Sequence, residues 1–176
     1  MDGVTYPNVI KGPPRPSLVR ETGALSLPAG TERYHIEGCG AALIAIAAGD
    51  KISIENLQGG QISELLCAGT DGIFDLSILD LGEGRAATGL QALLARDETS
   101  LRSLRYGLKA RNLDMAKASA AVLFDSNTPA KSRIDLIAAR DGIVIVAAPG
   151  SMMDFELQNT ASPLAVWIKR TTIKQA

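Results

Sequence analysis

Gly49-Asp50-Lys51-Ile52-Ser53-Ile54-Glu55-Asn56-Leu57-Gln58-Gly59-Gly60-Gln61-Ile62-Ser63-Glu64-Leu65-Leu66-Cys67 carries the clearest structural signature in the chain. Lys51 to Glu55 alternates polar and apolar residues with the two-residue period of a half-buried strand. Gly59-Gly60 accepts the positive φ angles of a tight reversal. A second apolar run follows at once, so the pattern predicts a hairpin. Just past the turn, Gln61 and Glu64 bring an amide and a carboxylate onto a segment whose neighbours Ile62, Leu65 and Leu66 favour burial. That juxtaposition marks the first candidate site.

Working outward, further short strands are predicted at Arg33 to Ile36, Ala41 to Ala47, Gln61 to Ala68 and Ile73 to Leu79. Turn signals at Gly38, Gly49-Asp50 and Asp71-Gly72 separate them, which reads as a meander-like region. The period then changes. Leu90, Leu93 and Leu94, and Leu101, Leu104 and Leu108, recur at helical spacing, with Thr99 or Ser100 as a cap for the second helix. Leu113 to Phe124 fits a helix through its alanines or a strand opening at Ala121. Ile134 to Arg140 and Ile143 to Ala148 flank Asp141-Gly142, a strong hairpin signal. Leu164 to Ile168 forms a last strand. The fold expected is α+β and β-rich: an antiparallel sheet or barrel-like body with two or three short helices inserted in the middle. Residues 1–32 hold five of the eight prolines and read as an extended arm that docks on the surface or on a partner, ahead of a single domain at 33–176.

Composition narrows the function. With 18 basic and 19 acidic residues the formal charge is −1, so no overall field draws in nucleic acid. Three tyrosines, three phenylalanines and one tryptophan, scattered along the chain, make no base-stacking surface. The apolar runs fall far short of the roughly 20 residues that span a bilayer. Cys39 and Cys67 lie in or beside apolar segments and Met1 to Pro7 lacks a signal pattern, so reduced thiols in the cytoplasm are expected. Gly82-Glu83-Gly84 lacks the third glycine of a dinucleotide fingerprint, and one histidine leaves no basis for a hydrolase triad.

Gly59-Gly60-Gln61-Ile62-Ser63-Glu64 resembles the central signature of the urea carboxylase-associated family, a domain of unknown function. Ala148-Pro149-Gly150-Ser151-Met152-Met153-Asp154-Phe155, with Gln158-Asn159-Thr160 and Pro163 to Val166, is similar to that family's closing pattern. The resemblance covers about a quarter of the chain and implies a β-rich α+β fold. It also implies one of two settings. Members are either stand-alone enzymes, including carboxyguanidine deiminases, or copies fused to folate-dependent aminomethyltransferases that resemble the glycine-cleavage T protein. Enzymatic members carry a cysteine and histidine metal site in the middle of the domain, whereas residues 81–125 here contain neither type. Glu64 also stands where the family usually has aspartate, and 157–160 lacks a cysteine that enzymatic members often place there.

Each candidate has two readings. Gln61 and Glu64 suit a substrate amine or guanidinium, with the carboxylate accepting two donors, or else they satisfy backbone near the glycine turn. Asp154, Gln158 and Asn159 suit substrate binding from a loop, or else tie that loop down. His35, Cys39 and Cys67 are the one set of soft ligands in the chain, yet buried structural thiols explain the cysteines better, so no metal ligand and no cofactor is assigned. Arg102, Arg105 and Lys109 share a helical face that suits an anion or, more ordinarily, solvent. The expected function is a non-catalytic accessory or scaffold domain of a folate-dependent, aminomethyltransferase-like one-carbon enzyme, fused or separate, or a homodimer formed through strand edges. The alternative is a hydrolase or deiminase acting on C–N bonds of a small amidine or urea-like compound. There Glu64 is the catalytic acid/base, and Gln61, Asp154, Gln158 and Asn159 bind substrate.

Overall fold

The computed structural model describes residues 27, 30–96, 99–150 and 161–171. Among the described residues nine strands form: β1 (Thr31–Ile36), β2 (Ala41–Ile46), β3 (Lys51–Asn56), β4 (Ser63–Ala68), β5 (Arg85–Ala86), β6 (Ser119–Phe124), β7 (Ser132–Ile137), β8 (Gly142–Ala147) and β9 (Leu164–Lys169). Two α-helices, α1 (Thr88–Ala95) and α2 (Arg102–Ala110), fall in the middle, where the leucine spacing puts them. The β-rich α+β class holds, as two antiparallel sheets rather than a closed barrel. The first sheet runs β1-β9-β3-β7 and the second β2-β8-β4-β6-β5.

The two sheets stack over one core. Ile52 and Ile54 of β3, with Val166 and Ile168 of β9, meet Leu65 and Cys67 of β4, and Val144 and Val146 of β8. The next residues along β4 and β8, Leu66, Ala68, Ile145 and Ala147, turn to the opposite face and pack under Leu90, Leu93, Leu104 and Leu108 of the helices. Strands β4 and β8 are thus the middle of three layers, buried on both faces. Their uninterrupted apolar runs are what that position demands, whereas β3 shows alternation because its outer face meets water.

Strand positions were legible in the sequence, but strand pairing was not. Gly59-Gly60 does not close a hairpin: β3 pairs with β7 and β9, and β4 with β6 and β8, so the glycines turn the chain from one sheet to the other. Both have positive φ, and an added Cβ at Gly59 would lie 2.7 Å from the Ala130 nitrogen. Asn56 bridges the crossing through Nδ2 to the Gln61 carbonyl and through Oδ1 from the Gly59 amide. Asp141-Gly142 is likewise a crossing, from β7 to β8. Its carboxylate, still at the surface, accepts from the Ala48 amide at 2.8 Å. The meander is therefore an alternation between layers.

Three local expectations also shift. Leu76–Leu79 is a 3-10 helix rather than strand, because Asp75 accepts from the Ser77 amide and starts a helical turn. The ambiguous 113–124 segment resolves into a 3-10 turn at Met115–Lys117 followed by β6. Thr99–Leu101 is a 3-10 turn leading into α2, whose N-cap is Leu101 with no side-chain cap bond. Among the described residues, no helix is long and apolar enough to cross a membrane.

Candidate functional site

Glu64 projects from β4 toward the helical layer and is 2% exposed. Its Oε1 accepts from the Gly89 amide at 2.9 Å and its Oε2 from the Leu90 amide at 2.7 Å. These are first-turn amides of α1, whose N-cap, Ala87, offers no side-chain acceptor. Such amides otherwise lack partners, and the positive end of the helix favours a carboxylate there. At the other end of α1, Arg105 donates to the carbonyls of Leu94 and Arg96. An eight-residue helix with no cap of its own is thus held between opposite charges supplied by β4 and α2. Gly89 is required by space: an added Cβ would lie 2.7 Å from Pro149 Cγ and 2.9 Å from Glu64 Oε1.

Gln61, also buried, uses every side-chain polar atom on backbone. Nε2 donates to the carbonyls of Ile62 and Pro149, at 2.6 and 2.9 Å, and Oε1 accepts from the Ser162 amide at 2.8 Å. Pro149 and Ser162 bracket the segment that carries Asp154, Gln158 and Asn159. Those three lie outside the described residues, but the chain leaves toward them and returns from them at one glutamine. Gln61 and Glu64 therefore sit beside one junction, with Pro149 touching the surroundings of both.

The histidine and cysteines lie in three different places. His35 stands on the outer side of the first sheet, its Nε2 3.2 Å from Glu37 Oε1. Cys67 is fully buried between the sheets, and Cys39 packs against the helix-side cluster. Among the described residues, no three His, Cys, Asp or Glu side chains are grouped so as to hold an ion. Burial pushes the Cys67 thiol up to about 12, helped by the charge of Asp75. Because the thiolate is the reacting form, one thiol per native chain should react rapidly with a disulfide reagent at pH about 8. Cys39→Ser should abolish that phase. Two fast thiols in the folded protein would contradict this placement.

Sequence reasoning passed over a second polar cluster, on the outer face of the first sheet. Register sets Arg33, Trp167, Ser53 and Asp135 in one row and Thr31, Lys169, Lys51 and Ile137 in the next. The guanidinium carbons of Arg33 and Arg133 lie 5.4 and 5.6 Å from the Trp167 ring centre, within cation–π range. A shallow concavity of about 470 Å³ opens here. The signal was present in the sequence as the outward positions of β3, β7 and β9, but it needs the strand order to be assembled.

No family model matches the chain. Over 171 residues, 97% of its length, it is 47% identical to a trimethylamine-oxide aldolase of Ruegeria pomeroyi, and that stretch makes up 22% of the aldolase. The chain thus spans about a fifth of the length of this curated relative. Its fold is similar to that of a DUF1989 family protein from Silicibacter pomeroyi, with a TM-score of 0.50 and 13% identity across 82% of this chain and 80% of that one. At that identity the likeness concerns the fold alone.

Proposed function

We propose that this chain is a non-catalytic accessory domain of a larger enzyme that resembles trimethylamine-oxide aldolase. Its partner, fused or separate, is a folate-dependent, aminomethyltransferase-like unit, and its family is the urea carboxylase-associated one. The main support is the comparison in length: nearly the whole chain corresponds to a fifth of a protein named for its aldolase activity. The geometry agrees with this reading, since Gln61 and both oxygens of Glu64 are spent on the domain's own backbone. In this reading they anchor the junction that holds α1 and the 151–160 segment in place.

The test has two arms. The isolated chain should consume none of trimethylamine oxide, urea or simple amidines. Substituted for the matched 171 residues of the Ruegeria pomeroyi aldolase, it should support that enzyme's activity. Turnover of an amidine by the isolated chain, lost in Glu64→Gln while the fold is kept, would instead establish the C–N hydrolase reading. Glu64 would then be the acid/base, with Gln61, Asp154, Gln158 and Asn159 around the substrate.

A further inference from the structure

Strand β7 ends the first sheet, and its outer edge pairs with no described strand. The Ala138 amide donates to the Asp50 carbonyl on the β3 side. Backbone groups alternate in direction along an antiparallel strand, so Ile134 and Leu136 bond β3. Arg133, Asp135 and Ile137 therefore present N–H and C=O outward. Natural edges are commonly blunted by proline, by charged side chains, lysine above all, or by a bulge, and the two charges on this edge, Arg133 and Asp135, are of opposite sign. Ser132-Arg133-Ile134-Asp135-Leu136-Ile137 contains neither proline nor lysine, keeps regular register against β3, and leaves Ile137 58% exposed.

We propose that this edge is a dimer interface, with β7 of one protomer pairing antiparallel to β7 of a second copy about a two-fold axis at Ile134. The charge pattern selects both the partner and the register. Outward-bonding residues must face outward-bonding residues, so the axis passes near Arg133, Ile134, Asp135 or Leu136, and one at Leu136 pairs only the last residues of the strand and sets the Asp135 carboxylate against apolar Ile137. An axis at Arg133 sets two arginines opposite each other, and one at Asp135 sets two aspartates opposite each other. An axis at Ile134 sets Arg133 of each copy against Asp135 of the other. Opposite charges so placed are favourable and like charges unfavourable.

The groups retain capacity for this. Arg133 spends Nε on Asp135 Oδ1 and Nη2 on Ser53. Its Nη1 and the Oδ2 of Asp135 make no bond among the described residues. On the inner face, Ile134 meets Ile134 of the second copy at the axis, which extends the half-covered end of the core. The two first sheets then form one continuous eight-stranded sheet.

Light scattering coupled to size exclusion tests this on the full chain. The wild type should show twice the 18.5 kDa chain mass, falling toward one chain on dilution. Arg133→Asp makes both positions acidic and Asp135→Arg makes both basic, so each variant alone should weaken dimerisation about tenfold or more. Mixed in equal amounts, the two variants should recover a dimer of one copy of each. Ile137→Lys, at a largely exposed site, should also give monomers, so a folding failure of either charge variant would not protect the proposal. A monomeric wild type, single variants that still dimerise, or a mixture that stays monomeric would each overturn it. The first result excludes the dimer, the second places it at another surface, and the third excludes this register.

Discussion

Replacing Arg170 by alanine should lower stability by about 3 kcal/mol, which for a domain of this size is a fall of roughly 6–12 °C in melting temperature. Arg170 clamps three segments. Nε and Nη2 fork onto the two oxygens of Glu32 at 2.8 Å each, and Nη1 reaches Asp50 Oδ2 at 2.7 Å and the Ala45 carbonyl at 2.8 Å. Asp50 is 1% exposed, so removing the guanidinium leaves a buried carboxylate without a counter-charge. The loss falls at the low end of the range for such pairs, because the amides of Ala47 and Thr171 still hold Asp50.

The pH dependence follows. Bonding to Arg170, then to Tyr34, holds Glu32 below its ordinary value. Burial pushes Asp50 up, but the two amides and Arg170 outweigh it and leave it lowered. A lowered carboxyl stabilises the fold above its unfolded pKa, near 4, and that contribution fades as pH falls through the lower folded value. Melting temperature should therefore drop as pH falls below about 4 in the wild type, and less steeply in Arg170→Ala. Thermal denaturation across that range measures both. A variant melting within about 2 °C of wild type at pH 7 would show that the clamp contributes little.

Glu64→Ala should cost a similar amount, about 3 kcal/mol. It strands a buried amide, that of Leu90, and a half-buried one, that of Gly89, at the start of α1, each previously bonded to a charged acceptor. Glu64→Gln should fall between the two, near 2 kcal/mol, since its NH2 group turns a donor toward a donor. Loss should be local first. Amide exchange ought to quicken across 88–95 before it does so in β4 or β8, because the helix depends on this acceptor and the strands do not. Uniform exchange throughout the domain would argue against the capping role.

Much of the chain could be read before its fold was known, and the parts that could not share a cause. The alternation in β3, the leucine spacing in α1 and α2 and the apolar runs of β4 and β8 are local patterns, and they put the elements in place. Pairing is not local. Both glycine-containing turns were read as hairpins because a reversal and a layer crossing use the same backbone angles, and only the side-chain bonds of Asn56 and Asp141 distinguish them. Gln61 and Glu64 stood out as polar groups among neighbours that favour burial, and both are themselves buried. Their partners, Pro149 and Ser162 for one and the α1 amides for the other, lie 25 to 101 residues away. The Arg33, Trp167 and Arg133 cluster spans three strands and emerges only from the order β1-β9-β3-β7.

Strand β9 lies between β1 and β3 and is made after every other described strand of the two sheets. Until residues 164–169 arrive, the first sheet exists as two unconnected pieces, and two strand sides that the finished protein conceals are open to any passing chain. Folding should accordingly be slow, governed by loop closure over long sequence separations. A nascent chain stalled before Leu164 should bind holdase chaperones through those open sides, and it should release them once the final strand is inserted.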